Sequence, residues 1–137
     1  MRYWAGVRQR ASEFFPGRAV QAGVDFVLSE VVHCKSAREE GVPAAFETCI
    51  DRYLDRLVSA SAARVVVFLG RWARAAAERV YGDALGAHLD GPRIIGGRPR
   101  VLVFLPHPNA RTERSAIRIL TPEELEMAQG ALADARH

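Results

Sequence analysis

Three short, almost uninterrupted apolar runs constrain this chain most: Phe26 to Val32, broken only by Ser29 and Glu30, then Val65 to Leu69, then Val101 to Leu105. Runs this short and this rich in Val read as strands buried on both faces of a parallel sheet; a half-exposed antiparallel strand would alternate apolar with polar residues. Strands are therefore expected from Asp25, over Arg64–Leu69 and over Arg100–Leu105.

The stretches between them carry helical period. Trp4, Val7, Ala11, Phe14 and Phe15 predict a helix over residues 2 to 15, stopped by Pro16-Gly17. Pro43 suits a first helical turn, and Phe46, Cys49, Ile50, Tyr53, Leu54, Leu57 and Val58 continue one face. A helix over Arg71–Tyr81, with Trp72, Ala76 and Val80 as apolar members, follows the second strand. Thr121-Pro122-Glu123-Glu124 is a capping-box pattern that starts a last helix running to about Ala135. Residues 82 to 99, with Gly91-Pro92 and Gly96-Gly97, read as loops or a short irregular element. Strands alternating with helices imply right-handed crossovers. The expectation is one three-layer α/β/α domain over residues 1–137 with a mainly parallel sheet.

Composition agrees with one globular domain: 49% of the residues are hydrophobic and 26% charged. No run reaches the roughly 20 apolar residues of a membrane span, and the N-terminus lacks a signal-peptide core, so a soluble, cytoplasmic protein is expected. The net charge of +3 comes from 18 arginines and a single lysine, Lys35. Arginine suits phosphate through its planar fork, and the charge is compatible with a nucleic-acid partner. Two cysteines, Cys34 and Cys49, are too few for a disulfide framework.

Ligands of such sheets bind beyond the carboxyl ends of the strands, which selects residues 30 to 36, 70 to 71 and 106 to 114. In the last of these, Pro106 and Pro108 hold His107 and Asn109 rigidly at a strand end. They read either as ligand contacts or as a plain turn with an Asx-type bond. Arg111 and Arg114, just beyond, read either as phosphate contacts or as a solvated face. Glu30, His33, Cys34 and Lys35 bring a carboxylate, an imidazole, a thiol and an ammonium to the first strand end, as a binding loop or metal site would. Cys34 and Cys49 are fifteen positions apart, unlike a compact zinc signature, and Cys49 fits the apolar helix face by position.

Taken together, residues 25 to 115 resemble the uracil-DNA glycosylase superfamily, most closely its iron-sulfur branch. That branch reads Asn-Val-Val-Lys-Cys where this chain reads Glu30-Val31-Val32-His33-Cys34, with Cys49 following at matching spacing. Its Leu-Gly strand end and alanine-rich helix correspond to Leu69-Gly70-Arg71-Trp72-Ala73, and its His-Pro motif to His107-Pro108-Asn109. The resemblance implies a uracil-DNA glycosylase-like fold and base-excision DNA repair by hydrolysis of the N-glycosidic bond of a flipped base in damaged DNA. It makes His107 the catalytic group that stabilises charge on the leaving base, and Glu30, His107 and Asn109 the base contacts. Pro108, Asn109, Arg111 and Arg114 become the DNA contacts.

The chain departs from the family in four places. The N-terminal Gly-rich motif that positions water, the aromatic that stacks on uracil and the N-terminal Cys-x-x-Cys are all missing, so the chain reads as N-terminally truncated or as a domain without catalysis. Glu30 replaces an asparagine, and an ionised carboxylate accepts but does not donate, which favours a donor-rich base edge over uracil. Cys34 and Cys49 supply half the thiolates of a four-iron cluster. No cofactor is therefore required, and a cluster forms only if another segment or subunit adds two ligands.

Two other functions fit the same residues. One is a non-catalytic nucleobase- or DNA-binding module of the same fold. The other is a structural or interaction protein whose Tyr3, Trp4 and Phe14 meet a partner, with a homodimer covering an open sheet edge.

Overall fold

The computed structural model describes residues 2–31 and 40–134. It is a mixed α/β fold around a small open sheet. Helix α1 (Arg2–Ser12) comes first, then α2 (Val42–Cys49), a π-helical segment (Ile50–Leu54) and α3 (Asp55–Ala60), which run on as one helix. Strand β1 (Val65–Leu69), α4 (Arg71–Tyr81), β2 (Leu89–Ile95), β3 (Arg98–Leu105), α5 (Ala116–Ile119) and α6 (Pro122–Asp134) follow.

The sheet order is β1-β3-β2, with β1 parallel and β2 antiparallel to β3. The two later apolar runs are thus strands, as their composition predicts. The antiparallel β2 lies inside the stretch expected to be irregular. Ile94-Ile95-Gly96-Gly97-Arg98 is a tight hairpin, both glycines taking the positive φ of 60° and 75° that such a turn needs. The break read into Gly91-Pro92 is a register shift between Asp90 and Arg93 that leaves the strand intact.

Among the described residues the first predicted strand does not form. Asp25 instead accepts hydrogen bonds from the Gln21 backbone N–H at 2.8 Å and from Arg18 at 3.1 Å. These close a turn whose ends meet in an isolated bridge between Ala22 and Phe26. Residues 27 to 30 then run without ladder partners among the described residues, and Val27 is 76% exposed. Among the described residues β1 is therefore an edge strand, and of its five residues only Phe68 is fully buried.

Apolar side chains cover both faces of β3. Leu102 and Phe104 pack with Val58, Ala73 and Ala77 of α3 and α4. Val101, Val103 and Leu105 pack with Phe14, Ala116, Leu120 and Ala128 from the two ends of the chain. Phe14 is therefore core, which removes it from any partner-facing surface. Cys49 sits buried beside Ile50 in the long helix, as its position predicts. Beyond them the π-helical segment breaks the 3.6-residue period, so Tyr53 and Leu57 slip out of the predicted apolar face and are 39% and 40% exposed. Trp72, expected among the apolar members of α4, is 53% exposed. The predicted capping box is formed: Thr121 Oγ1 accepts from the Glu124 N–H, and Glu124 Oε2 accepts from the Thr121 N–H at 2.9 Å.

Arg100, at the start of β3, is fully buried. Its guanidinium donates to the carbonyls of Ile95, Ser61, Ala63 and Ser59 and to the Ser61 hydroxyl, between 2.6 and 3.2 Å. It joins the hairpin turn to the connection between α3 and β1. Burial first, then Arg98, lowers its pKa from the ordinary guanidinium value. Arg100→Met should destabilise the fold by about 3 kcal/mol or more, because several buried carbonyls lose their donor together. Urea unfolding checks this, and a loss under about 0.5 kcal/mol, the size of an ordinary surface substitution, would contradict it.

Candidate functional site

Because β1 and β3 pair in register from Val65↔Val101 to Leu69↔Leu105, they end level with each other. The Gly70 N–H donates to the Leu105 carbonyl at 2.9 Å, extending the ladder by one bond. The next residues on β3 are Pro106 and His107. A Cβ on Gly70 would stand 3.3 Å from the His107 Cβ, and Gly70 has φ 88° and ψ 172°, a conformation open essentially to glycine alone. The glycine of Leu69-Gly70 thus provides the seat for the histidine of the neighbouring strand.

His107 is solvent-exposed and held by its own loop. Its Nδ1 accepts the Asn109 backbone N–H at 3.1 Å, so the neutral ring carries its proton on Nε2 and presents a donor there. Arg114 donates to the Pro108 carbonyl, pinning the same loop. Glu113 accepts the N–H groups of Ser115 and Arg114, and these bonds, with Arg118 nearby, hold its carboxyl below its ordinary pKa. Asn109 and Arg111 are exposed beside them.

Helix α1 forms the other wall. A Cβ on Gly6 would lie 2.9 Å from the Pro108 Cβ, so a glycine at this position permits the close approach. Arg10 pairs with Glu13 at 2.8 Å, and Glu13 in turn accepts from the Ser115 hydroxyl and the Ala116 N–H at the start of α5. This docking sets the Tyr3 ring 5.5 Å from the His107 ring.

Two cavities meet at His107. The first, about 800 Å³, runs along the outer edge of β1 and is lined by Tyr3, residues 27 to 31, Phe46, Trp72 and His107 among others. Glu30 and His107, nearly eighty positions apart, therefore line one cavity, with Glu30 exposed. Burial first, and then the charge of Glu30, raises the phenol pKa of Tyr3. The second cavity, about 670 Å³, lies over the strand ends and is lined by Gly70, Arg71, Trp72, Arg74, His88 and His107 among others. Arg74 is committed to Glu78 and to the carbonyls of Gly86, Ala87 and Leu85.

Of the predicted site residues, the structure brings Glu30 and His107 to one cavity; Asn109, Arg111 and Arg114 are exposed on the loop beyond His107 and line neither cavity, and Pro108, expected as a DNA contact, is instead buried against Gly6 of α1. Cys34, His33 and Lys35 lie outside the described residues, and Cys49 is inside the helix core. Among the described residues no group of three or more metal-ligating side chains converges. Tyr3 and Trp72 are aromatic walls that the sequence pattern assigned elsewhere, Tyr3 to a partner contact and Trp72 to the apolar face of α4. Tyr3 was hidden by its distance in sequence from His107, and Trp72 by its place in an apparently core-facing helix.

No helix among the described residues is long and apolar enough to cross a membrane. Compared with protein families, curated proteins and solved structures, the chain matches none. The site therefore rests on its own geometry.

Gly70→Ala should destabilise the protein by about 1–3 kcal/mol through its backbone conformation and push His107 off its seat. Thermal unfolding and the ring resonances of His107 check this. Unchanged resonances would show that the glycine does not position the ring.

Proposed function

We propose that this chain binds an extruded nucleobase in the cavity between Tyr3, Glu30 and His107, and acts on it as a uracil-DNA glycosylase-like hydrolase in base-excision DNA repair. On this reading the sheet is the remnant of a three-layer, glycosylase-like α/β/α domain. The observation that carries it is His107: a rigidly held imidazole at the end of β3, with Nδ1 occupied and Nε2 left to donate, facing an apolar cavity with an aromatic wall. That arrangement suits a planar ring with a polar edge. A hydrogen bond from Nε2–H to a base carbonyl strengthens as negative charge develops on the departing base, and only such a strengthening interaction lowers the barrier. Glu30 accepts from an amino-bearing edge, and the exposed Asn109, Arg111 and Arg114 meet the strand around the extruded nucleotide.

A second reading follows from the cavity lining. Glu30 is the single carboxylate among the described residues lining either cavity, and a base-edge role leaves no second carboxylate among them to orient a hydrolytic water. A binding module that holds a nucleobase without cleaving it uses the same pocket.

The test is excision from single-stranded and duplex oligonucleotides carrying uracil, hypoxanthine or another deaminated base. His107→Ala should lower excision about 10²- to 10³-fold, the usual loss for one charge-stabilising donor. Glu30→Gln should shift preference toward uracil, since an amide can donate as well as accept. Absence of excision from every substrate, with base binding still dependent on His107, would favour the binding module. Excision indifferent to His107→Ala would sink the assignment.

A further inference from the structure

We infer that α1 is a landing face for single-stranded nucleic acid, leading the strand to the cavity at His107. The inference deepens the base-pocket reading and rests on it for where the strand leads. Its own evidence is an aromatic path beside exposed arginines that form no ion pair among the described residues.

Trp4 is 61% exposed, the large apolar side chain of α1 that the fold leaves in solvent. Its ring meets that of Tyr3 at 5.7 Å and 77°, and Tyr3 meets His107 at 5.5 Å and 32°. Three rings thus lead from solvent to the cavity wall. Stacking on an exposed aromatic tolerates any base, because every base has a π-face, but it needs a face that is not already stacked inside a duplex. That requirement selects single strands.

The charge around Trp4 has the matching sign. Helix α1 contains Arg2, Arg8 and Arg10 and no acidic residue. Arg10 is buried against Glu13, whereas Arg2 and Arg8 are exposed and form no ion pair among the described residues. Arg8 lies one helical turn from Trp4, on the same side of the helix. A flexible polyanion with free bases satisfies both features, a base covering Trp4 with a phosphate meeting Arg8 on the same side, and a further phosphate reaching Arg2 at the first residue of the helix, round from Trp4.

The test uses the whole chain and an undamaged, fluorescently labelled oligothymidylate of about 10 nucleotides, within the usual footprint of such sites. Anisotropy should show tighter binding of the single strand than of a duplex of the same length. Trp4→Ala should weaken binding about tenfold or more, and Trp4→Phe, which keeps a ring, should restore most of it. Arg2→Ala with Arg8→Ala should flatten the salt dependence by about 0.7 for each phosphate that is no longer neutralised. No binding, equal binding of duplex and single strand, or binding indifferent to Trp4→Ala would overturn the inference. Excision that needs His107 but binding that ignores Trp4 would reject this inference alone. Binding that needs Trp4 without excision of any base would reject the hydrolase alone.

Discussion

The buried guanidinium of Arg100 holds the carbonyls of Ser59, Ser61, Ala63 and Ile95 around a single point, and the sheet takes its alignment from that cage. Backbone carbonyls cannot be left dry without cost, so the hairpin turn and the connection into β1 are tied to the start of β3. From there the parallel pairing with β1 runs in step for five residues. The level ends of the two strands, the contact between Gly70 and His107, and the cavities on either side follow from this alignment. A one-residue slip would turn every side chain of β1 to the opposite face and take Gly70 away from the imidazole.

The second dependence is the docking of α1. Its polar attachment is compact: Arg10 to Glu13, and Glu13 to the first turn of α5, more than a hundred residues away. Its close contact with the loop is the approach of Gly6 to Pro108. An amphipathic helix that would otherwise only cover the sheet becomes a wall of the site through two small features, a glycine at a contact point and a carboxylate that caps another helix. Tyr3 reaches His107 as a consequence, and Trp4 is left facing water.

Much of the framework was legible because it is locally encoded. The helix over Arg71–Tyr81 follows from a strand stopped by Gly70 and a high-propensity alanine-rich sequence, and the start of α6 follows from Thr121 and Glu124 reading each other's backbone. Strands β1 and β3 stand where the Val-rich runs placed them. Strand β2 was legible in principle, since Gly96-Gly97 between two apolar flanks is a hairpin signal, but Gly91-Pro92 reads equally as a strand breaker. The apolar run after Asp25 misled for a different reason. Strand composition states a preference, and a ladder partner decides whether it is used; here the local turn around Asp25 takes the first residues, and residues 27 to 31 line a cavity beside β1.

Of the candidate site, the sequence by itself determined the rigid Pro106-His107-Pro108-Asn109 loop and its place at a strand end, because proline restriction and strand length are properties of a few neighbouring residues. It also determined which chemical groups were on offer, Glu30 and His107 foremost. Only the tertiary structure decided that these two share a cavity, that Tyr3 and Trp72 wall it, that β1 is an edge, and that Arg114 anchors the loop from which it projects. Those outcomes are mostly contacts between residues far apart in the chain. They depend on register, on the breaks in helical period and on how closely two backbones approach, none of which a local pattern of side chains contains.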